Sequence, residues 1–208
     1  MASRPARRVD PVELGIASFA SGDQIESGDL SVSQCSADST LLAAIDGIGH
    51  GKSAAAAAQA AAAILKSFAD DQLVSLVQRC HDALRATRGV VFSLASIDFR
   101  QGTLTWLGVG NVQGVLIRSG KTNHLHNETL LLRPGVVGSQ LPILQTATLP
   151  LLPGDTLAFA TDGVRSDFSN DLFLHESPQR SADRILAKHC KGSDDALVFV
   201  ARFMGNSK

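Results

Sequence analysis

The sequence predicts an α/β (α+β) fold in which two antiparallel sheets pack face to face with helices outside them, and three patterns predict it. Short runs of alternating or wholly apolar β-formers fall into two groups, at residues 14–45 and 90–161. An alanine-rich, breaker-free stretch and a second amphipathic stretch lie between the groups. A late helical segment then precedes one more apolar strand, an order suited to sheets that bury their inner faces against each other.

Residues 14–20 and 30–35 read as strands separated by the turn-prone pieces Ser21-Gly22-Asp23 and Glu26-Ser27-Gly28-Asp29. Residues 41–45 are apolar throughout, so this third strand is expected to be buried on both faces; it ends at Asp46. After the glycine-rich stretch 47–51, residues 54–68 combine high helix propensity with alanines that allow close packing. The next segment sets Leu73, Leu76, Val77, Cys80 and Leu84 on one helical face, with Asp70 or Asp71 placed to cap it. Strand periodicity returns at 90–98, 103–109 and 112–118, where turn signals at Gln101-Gly102 and Gly110-Asn111 predict an antiparallel meander. Residues 146–151 and 156–161 flank the turn Pro153-Gly154-Asp155, and the second strand runs into Asp162. Ser177-Pro178 predicts an N-cap followed by proline at the first helical position, with the helix continuing through Ile185, Leu186 and His189. Residues 196–203 form the closing strand.

With 208 residues and 44% hydrophobic content, the chain is sized for one domain, residues 12–204, behind a flexible, solvated tail at 1–11. Nineteen Lys and Arg against 20 Asp and Glu leave no charge excess to draw the protein to nucleic acid or to an anionic membrane. Cys35, Cys80 and Cys190 are odd in number and lack CxxC spacing, which argues against a disulfide framework and a structural zinc site and fits a reduced cytoplasm. No secretory apolar region follows the N-terminus, and no apolar run is long enough to span a bilayer.

Aspartates recur at strand edges. Gly28-Asp29, Asp46-Gly47 and Asp162-Gly163 share that context, and Asp194-Asp195 immediately precedes the last strand. Carboxylates on rigid strand ends suit magnesium or manganese, and a glycine after the aspartate lets its own backbone carbonyl approach a metal. Asp-Gly between apolar residues is also a hairpin signal, and for Asp162-Gly163 the two readings stand side by side. At Asp46-Gly47 the hairpin reading fails because a helix follows. Gly51-Lys52-Ser53 resembles the end of a phosphate-binding loop, but the required glycine five residues earlier is Asp46, which would repel phosphate. The glycine spacing 47, 49, 51 misses the dinucleotide fingerprint, since its third position is Lys52. His124 and His126 fit an exposed loop better than a metal site, and His50 either shapes its loop or hydrogen-bonds near the site. Neither a GxSxG motif nor a cysteine in a nucleophile setting supports covalent hydrolysis.

Ser27-Gly28-Asp29, Asp46-Gly47-Ile48-Gly49-His50-Gly51, Gly110-Asn111, Leu152-Pro153-Gly154-Asp155, Ala160-Thr161-Asp162-Gly163-Val164 and Asp194-Asp195, in that order, resemble the SpoIIE-type branch of the metal-dependent protein phosphatases over residues 12–204. Within that branch the short format and the glycine after Asp46 are most similar to the small stressosome phosphatases. The resemblance implies a four-layer α-β-β-α sandwich holding two divalent cations, Mn or Mg, around a water that attacks phosphoserine or phosphothreonine. By motif, Asp46 would bridge both ions as a catalytic centre with Asp162. Asp29 and the Gly47 carbonyl would serve one ion, and Asp162 and Asp194 the other; Asp195 would be supporting. Arg133 or Arg165 would face the phosphate. The implied partners are phosphorylated STAS-domain proteins of a stressosome, with an anti-sigma-factor antagonist, or a silent pseudophosphatase role, as alternatives. Two departures concern substrate contacts: Leu197 stands where the family commonly has threonine, and an Asn-Ala-Gly-His-like motif is reduced to Gly110-Asn111-Val112-Gln113.

Overall fold

The computed structural model describes residues 11–22, 26–120 and 127–205. Residues 1–10 of the expected tail and the pair His124 and His126 lie outside the described residues. Strands β1 (Val12–Phe19), β2 (Asp29–Cys35) and β3 (Ser39–Gly47) come first, followed by helices α1 (Lys52–Ser67) and α2 (Leu73–Ala83). Strands β4 (Val90–Asp98), β5 (Thr103–Val109) and β6 (Gln113–Ile117) follow, then the two-residue strands β7 (Glu128–Thr129) and β8 (Leu132–Arg133). The chain ends with β9 (Ala147–Pro150), β10 (Thr156–Ala160), helix α3 (Pro178–His189) and β11 (Ala196–Phe203).

One sheet has the order β1-β11-β10-β6-β7 and the other β2-β3-β4-β5-β8, with β9 also paired to β5. Every pairing is antiparallel except β5 with β8. The alternation of β3 divides its apolar run between two cores. Leu41, Ala43 and Ile45 pack under α1 and α2, whereas Leu42 and Ala44 face the other sheet beside Trp106, Phe159 and Phe199. That division is why the whole run is apolar. Helix α1 presents Ala54, Ala57, Ala58 and Ala61, all fully buried, so its backbone lies close on β2 and β3. Helix α3 covers the β1-β11-β10 sheet through Ala182 and Ile185, packed against Ala158, Val198 and Val200. The layers are therefore helix, sheet, sheet, helix.

Two local expectations need correction. The predicted meander breaks after β5, because β6 pairs with β10 in the opposite sheet. Gly110, at φ 96°, makes the change of direction; a Cβ there would strike Val91. The buried Ser93 hydroxyl then holds the Val112 carbonyl at 2.5 Å. The turn at Pro153-Gly154-Asp155 forms as expected, the Asp155 N–H donating to the Leu152 carbonyl at 3.0 Å, and it passes the chain from β9 in one sheet to β10 in the other. Asp155 is fully buried there, ion-paired with Arg118 at 2.9 Å and accepting the Ser119 N–H. Helix α2 is not capped by Asp70 or Asp71: Gln72 occupies the N-cap without a side-chain bond, Asp70 accepts from Ser36, and Asp71 pairs with Arg79. Ser177 does cap α3, accepting the Arg180 N–H, with Pro178 in the first turn.

Candidate metal centre

The alternation that divides the two cores also positions the acidic residues. Asp46 continues the Leu42 and Ala44 stripe into the space between the sheets, and its partner across the ladder is Asp29, the first residue of β2. Paired residues of antiparallel strands share a face, so both carboxylates project to one side. Gly47, one position on, faces α1. A Cβ there would come within 2.2 Å of the Ala54 carbonyl oxygen, so only glycine lets the first turn of α1 approach the strand end so closely.

The opposite sheet brings the remaining acids. Asp162 follows directly on β10, and Asp194 and Asp195 immediately precede β11. The Thr161 hydroxyl joins the two sheets, donating to Asp29 Oδ2 at 2.7 Å and accepting the Leu197 N–H at 2.8 Å. Asp195 takes the Gly28 N–H at 2.6 Å and the Ser21 N–H at 2.8 Å, so its carboxylate anchors the segment that leads into Asp29. Asp194 is exposed and accepts the Asp195 N–H. The Asn111 amide donates to Asp162 Oδ2 at 2.8 Å, and the Lys191 ammonium holds the Asp162 carbonyl at 2.6 Å. A Cβ on Gly163 would lie 1.9 Å from the Asp195 carbonyl oxygen, which shows how closely the two strand ends meet.

The structure thus brings Asp29, Asp46, Gly47, Asp162 and Asp194 to one edge of the sandwich. His50 lies exposed on the neighbouring glycine-rich loop. Arg165 borders a hollow beside Asp162, while Arg133 turns its guanidinium to Gln145. Leu197 is 2% exposed in the core between the sheets, so only its backbone reaches the site, through Thr161. Thr161, Asn111 and Lys191 are contributors that sequence reading did not single out. Thr161 and Asn111 sat inside quoted motifs, but nothing in the spacing showed which acids they would hold.

Crowding acids in a buried edge disfavours their charged forms. Burial, followed by the charges of Asp29, Asp162, Asp194 and Asp195, pushes Asp46 up to about 8. Burial likewise lifts Asp29 to about 7, opposed by the Thr161 hydrogen bond and reinforced by Asp195, Asp162 and Asp194. Among the described residues no three His, Cys, Asp or Glu side chains stand close enough together to hold a metal ion as they are placed; the carboxylates stand around an open edge. The donor set nonetheless fits hard divalent cations: it is all oxygen, and the repulsion that raises both pKa values is relieved by positive charge.

A helix-sheet-sheet-helix sandwich with clustered aspartates at the sheet edges defines the class, that of the metal-dependent protein phosphatase domains. The family model for stage II sporulation protein E, SpoIIE, matches residues 36–204, and the chain belongs to that family. The match includes Asp46, Gly47, Asp162 and Asp194; Asp29 precedes it and joins the set through its ladder with Asp46. The phosphoserine phosphatase RsbX of Bacillus subtilis (strain 168) is 32% identical over 80 residues, covering 38% of this chain and 40% of that protein. The aligned region thus spans less than half of that relative. A chain solved in work on the bacterial stressosome, as a modular system adapted to control secondary messenger signaling, is 31% identical, with TM-score 0.84 over 92% of this chain and 99% of the other. A crystal structure of RsbX in complex with magnesium shares the fold at 21% identity, with TM-score 0.83 over 93% and 96% of the two chains.

Proposed function

We propose that residues 12–204 form one catalytic domain, a metal-dependent protein-serine/threonine phosphatase acting on phosphorylated STAS-domain proteins of a cytoplasmic stressosome, so that a stress signal is reset. The observation that carries this reading is the meeting of Asp29, Asp46, Asp162 and Asp194, drawn from strands of both sheets, at one edge. The proposed substrate class is supported by the 31% identity to the stressosome-associated chain and by the RsbX relative.

In this reading Asp46, Asp29 and the Gly47 carbonyl would hold one divalent cation, Mn or Mg, and Asp46, Asp162 and Asp194 would hold a second. Bound there, the cations would supply Lewis-acid charge for the phosphoryl oxygens and lower the pKa of water toward neutrality. The chain's own part is placement. Thr161 fixes the Asp29 carboxylate by donating to Oδ2, and Asn111 does the same for Asp162. Asp195 spends its oxygens on the backbone N–H groups of Ser21 and Gly28, so it sets the position of Asp29 and does not compete as a ligand. Among the described residues the acidic cluster includes no Ser or Cys in a nucleophile setting, and direct attack by water without a phosphoenzyme is expected.

The test is phosphate release from p-nitrophenyl phosphate and from a phosphorylated STAS-domain protein, with Mn or Mg added. Turnover that depends on the cation and falls at least about tenfold to hundredfold in Asp46→Asn and in Asp162→Asn is expected, the range by which even indirect supports of metal sites act. Wild-type turnover in both variants would falsify the assignment. Activity on the small ester alone would refute the substrate class and leave the chemistry. Binding of the STAS protein with no turnover under any cation would instead mark a silent binding module.

A further inference from the structure

Beside the carboxylate cluster lies a hollow of about 400 Å³ whose wall includes Asn111, Gln113, Asp162, Arg165, Asp167 and Lys191. It shares only Asp162 with the cluster, because Asp29, Asp46 and Asp194 are not in its wall. A phosphoryl group placed over the cluster leaves this hollow to whatever lies next to the phosphorylated residue in the substrate. The charges around it are unequally engaged. Asp167 lies 3.0 Å from His189 Nδ1 and 3.6 Å from Arg165 Nε, and the His189 contact, above all, holds its carboxyl below the ordinary value. Arg165 also donates to the Lys188 carbonyl at 2.7 Å.

Lys191 differs. Its ammonium donates to one neutral acceptor, the Asp162 carbonyl, and among the described residues no carboxylate pairs with it. An ammonium has three donors, so a single carbonyl leaves most of its capacity, and its full charge, free. Its anchor to the Asp162 backbone fixes that charge at the junction of hollow and cluster.

We propose that this hollow is a carboxylate-binding subsite in which Lys191, with Arg165 beside it, receives an aspartate or glutamate adjacent to the phosphorylated residue of the substrate. The inference rests on the phosphatase reading and adds which phosphosites that enzyme prefers. Lys191 acts here as a specificity residue, and Gln113 supplies a further amide at the wall.

Two phosphoserine peptides, identical except for aspartate or alanine flanking the phosphoserine, provide the test with the full chain and Mn. Wild type is expected to favour the aspartate peptide about tenfold in kcat/KM, the equivalent of one good charged contact. Lys191→Ala should bring the ratio near unity, Lys191→Arg should keep it, and Lys191→Glu should reverse it toward a peptide with lysine in that place. An undiminished ratio in Lys191→Ala overturns the subsite even if both rates fall, since loss of a merely structural or phosphoryl contact lowers both peptides alike. Absence of turnover by the wild type contradicts the phosphatase reading instead. The ratio of the two peptides' dissociation constants, read by fluorescence anisotropy, then decides the subsite on the same criterion.

Discussion

Thr161 shows how much of the site depends on groups that would never touch a metal. Its hydroxyl donates to Asp29 and accepts from the Leu197 N–H, a bond that spans 132 residues of sequence on one side and ties both sheets at the acidic edge. Thr161→Val keeps the shape but leaves a buried N–H and a buried carboxylate without this partner. Such losses destabilise by about 1–3 kcal/mol, so the urea midpoint should fall by a corresponding amount. The Asp29 pKa should rise further, because the lost bond is what lowers it, and Mn affinity should weaken about tenfold to hundredfold. Thr161→Ser should restore both. If the Val variant bound Mn like wild type, Thr161 would have no part in orienting Asp29. At the same scale Asn111→Ala is expected to weaken Mn binding while leaving the fold intact, because its bond to Asp162 is exposed; calorimetry and far-UV circular dichroism together check this.

Elements determine where those residues meet. Gly47 and Gly163 stand where a strand end meets other backbone, the carbonyls of Ala54 and Asp195. Gly47→Ala and Gly163→Ala should each destabilise by about 1–3 kcal/mol through overpacking, seen as a lower melting temperature, and should move the strand ends that carry Asp46 and Asp162. Unchanged melting in either variant would show that the backbone there yields freely. The elements that could be read from sequence were those whose pattern is local: the doubly buried β3, the alanine helix α1, and the Ser177-Pro178 start of α3. The crossing of β6 to the other sheet could not, since a turn at Gly110-Asn111 looks the same whether the chain returns to its neighbour or leaves it. The side-chain pairing that holds Asp155 against Arg118 was hidden for the same reason, as was the choice of Gln72 over two nearby aspartates at the α2 cap. At the site, the aspartates were legible because each sits in a strand-edge motif. Of their supports, Asp195 was expected from the family motif, but Thr161, Asn111 and Lys191 were not, because they act through contacts that exist only once the sheets have met.

Over the whole molecule, the clustered acids make stability depend on pH and on cations. An ordinary Asp ionises near 3.8, whereas in the fold Asp29 and Asp46 hold their protons to about 7 and about 8. Between those values the folded chain binds more protons than the unfolded one, so stability is greatest below the window and declines as pH rises through it. Without added cations, the melting temperature should therefore be lower near pH 8.5 than near pH 5.5, and Asp46→Asn should narrow the gap. Magnesium or manganese should raise melting most at the higher pH, because the ion binds the folded, ionised cluster and not the unfolded chain. A melting temperature indifferent to both pH and cation would mean that the acids do not interact as the fold places them.

The most direct measurement is a calorimetric titration of Mn into the cation-free chain, run beside the Asp46→Asn variant. The account predicts two ions bound per wild-type chain, with fewer sites and weaker binding in the variant, because in the proposed centre the Asp46 carboxylate would serve both. No binding by the wild type, or titrations that superimpose, would contradict it.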